Sequence, residues 1–297
     1  MTILPDFSAR DATIRHLTYT PLRRRDGVPH ELFEAYWRDV HGPLCARLPG
    51  LGFYVQHHFA RAHSSNLWPL PPGARPMDVV LDGMVEIGFA SPADQQRFQD
   101  ASPVLFADER NFLGHDVAYA LPAGSRTLVD REPDPVPNRP EPGHRLHLHL
   151  HGRAGPAFTA AMETFAAELA AEDDIRKVRL HLPEPYRNSH PQPPAPDVDH
   201  QLPDERQHVA ILELGWPGRL AAESYLRSTR HAAQAGALGA HVKALGAFQV
   251  AGVYTFCRDG VLTTAGLRGS RPAALIEALG AANQVSDEVT RLFRPAT

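Results

Sequence analysis

Residues 85–89 read Val-Glu-Ile-Gly-Phe, and residues 212–216 read Leu-Glu-Leu-Gly-Trp. The two pentapeptides match position by position: apolar, glutamate, apolar, glycine, aromatic. Each alternates as a half-buried strand does. Outward from them the surroundings match as well. The first lies in a predicted strand at 82–89. It is preceded by a strand at 13–19 (TIRHLTY), a helix at 29–47 with Leu32, Phe33, Tyr36, Trp37 and Val40 at helical spacing, and a strand at 53–59 (FYVQHHF). After it come a helix from Pro92 to about residue 101, a short segment at 108–112 and a strand at 115–121 (HDVAYAL). The second pentapeptide lies in a strand at 208–216. Before it stand a strand at 145–151 (RLHLHLH), a helix at 156–172 and a strand at 175–182 (IRKVRLHL). A helix at 219–235 and a strand at 248–256 (FQVAGVYTF) follow. In both series a proline-rich stretch, 62–78 and then 183–207, falls between the second and third strands, where proline forbids helix and central strand, and both are expected to be exposed loops.

The order is β-α-β-β-α-β twice, the ferredoxin-like arrangement. A sheet of this kind has helices on one face and a bare second face, and two bare faces can be buried against each other. The expectation is an α+β chain of two tandem halves forming a barrel. The first half spans residues 1–121. Residues 122–143, with REPDPVPNRPEPG, read as an exposed interdomain linker. The second half spans residues 144–297, with an added strand in VLTTAGL and a covering helix at 271–293.

The 297 residues are 43% hydrophobic, enough for a sizeable core. A net charge of −4 gives no reason to expect nucleic acid or an anionic membrane as partner. No run of eighteen apolar residues occurs, and the N-terminus lacks the basic and apolar segments of a secretory signal. Cys45 and Cys257 are the two cysteines and read as free thiols in a reducing cytosol. A cytoplasmic protein is expected. No phosphate-binding glycine loop, nucleophile elbow, CxxC or HExxH occurs.

The first half resembles the EthD family of the dimeric α/β-barrel superfamily. The resemblance rests on Phe33-Glu34-Ala35-Tyr36-Trp37, His41-Gly42-Pro43-Leu44, Leu48-Pro49-Gly50-Leu51 and Tyr54. It continues in Asp82-Gly83 with Val85-Glu86, and in Ser102-Pro103 with Asp108-Glu109 and Phe112. The second half keeps the outline without these motifs. The resemblance implies an intramolecular dimeric α/β barrel holding a hydrophobic ligand, often without a cofactor. The wider superfamily includes monooxygenases, dehydratases, isomerases and haem enzymes.

Strand alternation assigns faces. Leu146, Leu148 and Leu150 are expected to meet helices, leaving His147, His149 and His151 toward the barrel. By the same rule His16, Thr18, Tyr54, Gln56, His58, Met84 and Glu86 face inward in the first half, and Lys177, Arg179, His181, Ile211 and Glu213 in the second. Histidine beside a carboxylate suits acid–base chemistry near neutral pH. His41, His58 and Glu86 are therefore the expected catalytic residues. His16, Tyr54, Gln56, Met84, Asp108, His147, His149, Arg179, His181 and Glu213 are expected to bind substrate. His147 and His149 have the i, i+2 spacing of strand ligands, but no third ligand stands in a fixed motif. The expectation is thus no metal and no cofactor, with haem or a metal at His147/His149 as the alternative.

The leading reading is an enzyme acting by acid–base chemistry on a hydrophobic or aromatic oxygenated metabolite, as a lyase (dehydratase), isomerase or cyclase. A cofactor-free monooxygenase, a haem enzyme and a non-catalytic metabolite-binding protein are the alternatives. One principal site is expected, in the first half, and a homodimer is compatible with the reading.

Overall fold

The computed structural model describes residues 5–61, 68–153 and 155–293. The first half contributes β1 (His16–Arg24), β2 (Phe53–Phe59), β3 (Gly83–Phe89), β4 (Leu113–Asp116) and β5 (Tyr119–Leu121). Two short strands follow, β6 (Arg126–Asp130) and β7 (Asn138–Pro140). The second half contributes β8 (His144–Gly152), β9 (Lys177–His181), β10 (Val209–Trp216) and the long β11 (Val242–Arg258). The strands follow one hydrogen-bonded path, β4-β1-β3-β2-β11-β8-β10-β9-β6, with β5 also on β1 and β7 also on β11. Numbered within its half, each run of four has the order fourth, first, third, second, which is ferredoxin-like.

The two runs join through β11. Its first part pairs with β8, from Val242 to Gln249. Its second part pairs with β2, from Val250 to Cys257. A single strand of 17 residues thus belongs to both sheets. Aliphatic side chains bury the outer face of the second sheet. Leu146, Leu148 and Leu150 pack on Phe158, Met162 and Phe165 of the helix Pro156–Ala170.

On the other side, the predicted linker is part of the sheet. β6 pairs with β9, placing Val129 opposite Val178, and Val129 and Asp130 are buried. Arg-Thr-Leu-Val-Asp is a short strand-forming sequence among prolines, and it covers an edge of β9 that would otherwise expose its backbone. Val129→Ala is expected to lower stability by about 1–3 kcal/mol in urea denaturation, whereas a tolerant linker would show no change.

The second proline stretch is also not simply exposed. Tyr186, Ala195, Val198, His200 and Leu202 are buried. Its backbone bonds the first sheet, with Ala118 N–H on the Gln192 carbonyl at 2.9 Å and Glu184 N–H on the Ala120 carbonyl at 3.0 Å. Proline-rich chain cannot form a central strand, but its carbonyls still accept, so it closes the gap between the sheets. Of the first proline stretch, residues 62–67 lie outside the described residues; beyond them Trp68 is buried in the second half's core.

The expected C-terminal strand is short. Val261–Leu262 pairs with β11, and the chain then turns helical at Thr264–Arg268 because the Thr263 hydroxyl caps Gly266 N–H. The long covering helix is three pieces: Ser270–Leu279, Ala282–Val285 and Asp287–Arg291. Cys45 and Cys257 are free and buried. Among the described residues no helix is long and apolar enough to cross a membrane.

Candidate active site

The helix predicted at 29–47 runs from His30 to Cys45 with a π-helical turn at Trp37–His41. There the Gly42 N–H reaches back to the Trp37 carbonyl, which also accepts from Gln56 Nε2 at 3.0 Å. Single π turns re-aim side chains within a helix. Gly42 is fixed by packing: a Cβ there would stand 2.5 Å from the Phe256 ring of β11.

Trp37 and His41 line a cavity of about 190 Å³ between this helix, the outer face of the first sheet and the helices Pro92–Ala101 and Pro103–Glu109. Thr18, Thr20, Tyr54, Phe98, Leu105 and Glu109 also line it. His41 Nδ1 is 2.9 Å from Asp108 Oδ2. Tyr36 donates its hydroxyl to Asp108 Oδ1 at 2.5 Å, and Asn111 donates to the same oxygen at 3.2 Å. Burial would raise the Asp108 carboxyl, but bonds from His41 and Tyr36 hold it below its usual value. An ionised Asp108 accepts from a protonated His41 Nδ1 and leaves Nε2 as the nitrogen free to exchange a proton.

Glu109, next in sequence, behaves oppositely. Burial, reinforced by the nearby Asp116 carboxylate, pushes its carboxyl well up. Its Oε2 is buried without a hydrogen-bond partner among the described residues. One pocket wall thus carries a carboxylate-oriented imidazole and a carboxyl group biased toward its neutral, proton-donating form. Such divergence marks acid and base roles.

Asp116 is bound in turn by His200 at 3.0 Å, from the second proline stretch. Burial alone would lower His200, but the Asp116 side chain raises it to about 9. A histidine raised on folding contributes stability fully below its unfolded value, about 6.5, and loses it as pH rises through about 9. His200→Asn should therefore lower the melting temperature most near pH 6. The gap from wild type should close by pH 9.5 to 10; a gap constant with pH would disprove the linkage.

His58 is not in this cavity. Its ring stacks on Trp37 at 4.4 Å, and Nε2 meets Gln56 Oε1 at 3.0 Å. Gln56 donates to Tyr54 Oη at 2.8 Å. His58, Gln56 and Tyr54 therefore form the support behind Trp37, with Tyr54 also on the pocket wall.

The expected faces of β1 and β2 are thus reversed. Tyr54, Gln56 and His58 point to the helices, while Phe53, Val55, His57 and Phe59 line the barrel. In β1, Thr18 and Thr20 line the outer cavity and Leu17 and Tyr19 face the barrel. His16, half-buried at the start of β1, falls on the same side as Thr18 and Thr20 by alternation. The polar side of these strands was expected to meet the barrel, yet here it meets the helices, because the cavity and the Trp37 carbonyl offer it partners. β3 and the second half keep the expected faces. Met84 and Glu86 are inside, opposite His57 and Val55. As a result His41, His58 and Glu86 do not converge: the sheet separates Glu86 from the two histidines.

Within the barrel, Glu86 Oε1 accepts from Arg179 Nη2 at 3.1 Å and lies 3.6 Å from His181 Nδ1. Tyr19 Oη sits 3.1 Å from His147 Nδ1 and 2.9 Å from His149 Nε2. Burial lowers His57, His147 and His181 well below the ordinary histidine value and takes His149 to about 3. Burial would raise Glu213, yet Lys177 and Arg145 hold it well below the usual carboxylate range. Phe59 and Phe248 stack at 5.2 Å against this cluster, and the void beside His57 is about 40 Å³. His147 and His149 are themselves fully buried against the rings of Tyr19, Phe59 and Phe248, a packing into which a macrocycle such as haem does not fit.

Sequence reasoning missed Tyr19, His57, Glu109, Asp116 and His200. For His57 a signal existed in the His57-His58 pair, since any strand sends one of two adjacent residues to each face.

Residues 25–116 match the EthD domain family. No curated protein matches the sequence significantly. Among solved structures the chain is similar to an anthrone oxidase-like protein, with 13% identity and a TM-score of 0.50, over 84% of this chain and 96% of that one. It is also similar to a monooxygenase candidate of Lactobacillus acidophilus NCFM, with 8% identity and a TM-score of 0.42, over 84% and 99% of the two chains. A monooxygenase candidate of Fusobacterium nucleatum subsp. nucleatum ATCC 25586 matches with 6% identity and a TM-score of 0.48, over 84% and 97%. At this identity the likeness shows the fold alone, a mixed α+β chain with one large antiparallel sheet of the ferredoxin-like kind.

Proposed function

We propose that this protein is an enzyme that moves protons on a small, largely apolar, oxygenated substrate bound in the cavity beneath Trp37. The observation that carries the reading is the pair of adjacent residues Asp108 and Glu109. One orients His41 as a base, and the other presents to the same cavity a carboxyl group whose buried Oε2 has no hydrogen-bond partner among the described residues. His41 Nε2 would take a proton from a phenol or from carbon next to a carbonyl. Glu109 would donate to the oxygen on which charge develops. An enolate or phenolate formed this way can expel water, shift a double bond or close a ring, the outcomes of a dehydratase, isomerase or cyclase. The apolar walls supplied by Phe98 and Leu105 suit an aromatic ring.

A second reading shares the first step. A deprotonated electron-rich ring can react with dioxygen directly, and the likeness to an anthrone oxidase-like fold brings that outcome into consideration. Residues 1–121 would hold the chemistry and residues 144–297 the second wall of the barrel. The test is turnover of hydroxylated aromatic ketones under nitrogen and under air. Equal turnover in both gases supports elimination or cyclisation, and turnover only in air supports oxygenation. No turnover in either, with a ligand bound at the cavity, would instead mark a metabolite-binding protein. Glu109→Gln is expected to lower kcat by roughly tenfold to a hundredfold with KM little changed, because its interaction grows with the developing charge.

A further inference from the structure

The barrel interior holds a second cluster that the proton-transfer site does not use. His57 of β2, His147 of β8 and Glu213 of β10 each offer a ligand atom, and the three atoms lie within 4.8 Å of one another. The geometry points to a binding site for one divalent transition metal, zinc by preference, held by His57, His147 and Glu213 across the seam between the two sheets.

Three observations support it. His57 Nδ1 and His147 Nε2 are 3.2 Å apart. Two imidazole nitrogens bound tetrahedrally to one zinc at about 2.0–2.1 Å stand about 3.3 Å apart, so little movement is needed. The outer nitrogen of His147 already has a partner, since Nδ1 is 3.1 Å from Tyr19 Oη, which also reaches His149 Nε2. With Nε2 on the metal, His147 Nδ1–H donates to Tyr19 and the Tyr19 hydroxyl donates to His149, a chain that fixes the ligating tautomer and the ring's orientation.

The charges also fit. Arg145 contacts Glu132, Glu141 and Glu213, and Lys177 contacts Asp130. Two cations therefore meet four carboxylates, leaving two negative charges that a divalent ion would balance. Two nitrogens and a carboxylate oxygen suit zinc with one further position open. Because β2 belongs to the first sheet and β8 and β10 to the second, the ion would tie the halves together.

The test uses the full chain, stripped with a chelator and titrated with Zn²⁺ and then Co²⁺. One equivalent should bind. Cobalt should give the intense visible absorption of a tetrahedral site, and a hundredfold excess of zinc over its Kd should raise the melting temperature by roughly 5 °C. His57→Gln and His147→Gln should each abolish the band, while His190→Gln, at an exposed histidine, and His41→Gln should keep it. Should either variant fail to fold, the wild-type cobalt protein decides through its paramagnetically shifted proton spectrum. Two exchangeable imidazole signals are expected, one from each ligating histidine. No bound equivalent, a band that survives His57→Gln in a folded variant, or fewer than two such signals would overturn the site and leave a hydrogen-bonded histidine network.

Discussion

If the proposed proton transfer holds, His41→Ala is expected to lower kcat by roughly a hundredfold to ten-thousandfold, the usual span for loss of a positioned acid or base. Asp108 binds His41 Nδ1 and so leaves Nε2 free, while Tyr36 and Asn111 hold Asp108 in place. Asp108→Asn should act in the same direction by a smaller factor. An amide can accept or donate at that position, so the imidazole loses its fixed tautomer but keeps its place. The pH profile distinguishes this role from a structural one. With His41 gone, the limb of kcat against pH that reports the base should disappear rather than shift. A profile unchanged in shape, or a fall in kcat below fivefold in a folded variant, would remove His41 from the chemistry. His58→Ala is the matched comparison. It strips the ring stacked on Trp37 and should cost stability more than turnover per bound substrate.

The largest expected effect on stability lies inside the barrel wall. Arg145 is 5% exposed and contacts three carboxylates. Arg145→Met keeps most of the volume but strands Glu213 without its nearest cation. Breaking one side of a buried ion pair typically costs about 3–5 kcal/mol, because the remaining charge stays desolvated. Urea denaturation of the chelator-treated protein should show that loss. The double variant Arg145→Met/Glu213→Gln should recover part of it, since the stranded charge is then removed. If the single variant loses less than 1 kcal/mol, the network is wetter and weaker than its burial implies.

Much of the architecture was legible along the chain. The strand of FYVQHHF appears at 53–59 as read, and the helix from Pro92 ends at Ala101. The two Glu-Gly pentapeptides sit on third strands in both halves. These features follow from local pattern, proline placement and strand period, which act over a few residues. In the second half, alternation also placed His147, His149, Arg179, His181 and Glu213 on the barrel side, because each strand there has one uniformly apolar face. His41 and Asp108 were both singled out, but not as partners, since 67 residues separate them.

The tertiary structure alone decided the rest, because faces and partners depend on what a strand packs against. β1 and β2 have no uniformly apolar side. Tyr54-Val55-Gln56-His57-His58 can present either set inward, and the register with β3 and the Trp37 carbonyl chose between them. The 122–143 segment reads as a linker by composition, yet the exposed edge of β9 recruits residues 126–130 into the sheet. Glu109 looks like any helical glutamate until burial beside Asp116 shifts its carboxyl upward. Local sequence thus determined which elements form, and long-range packing determined which side chains share a space, since desolvation and hydrogen bonding exist only between groups the fold has already brought together.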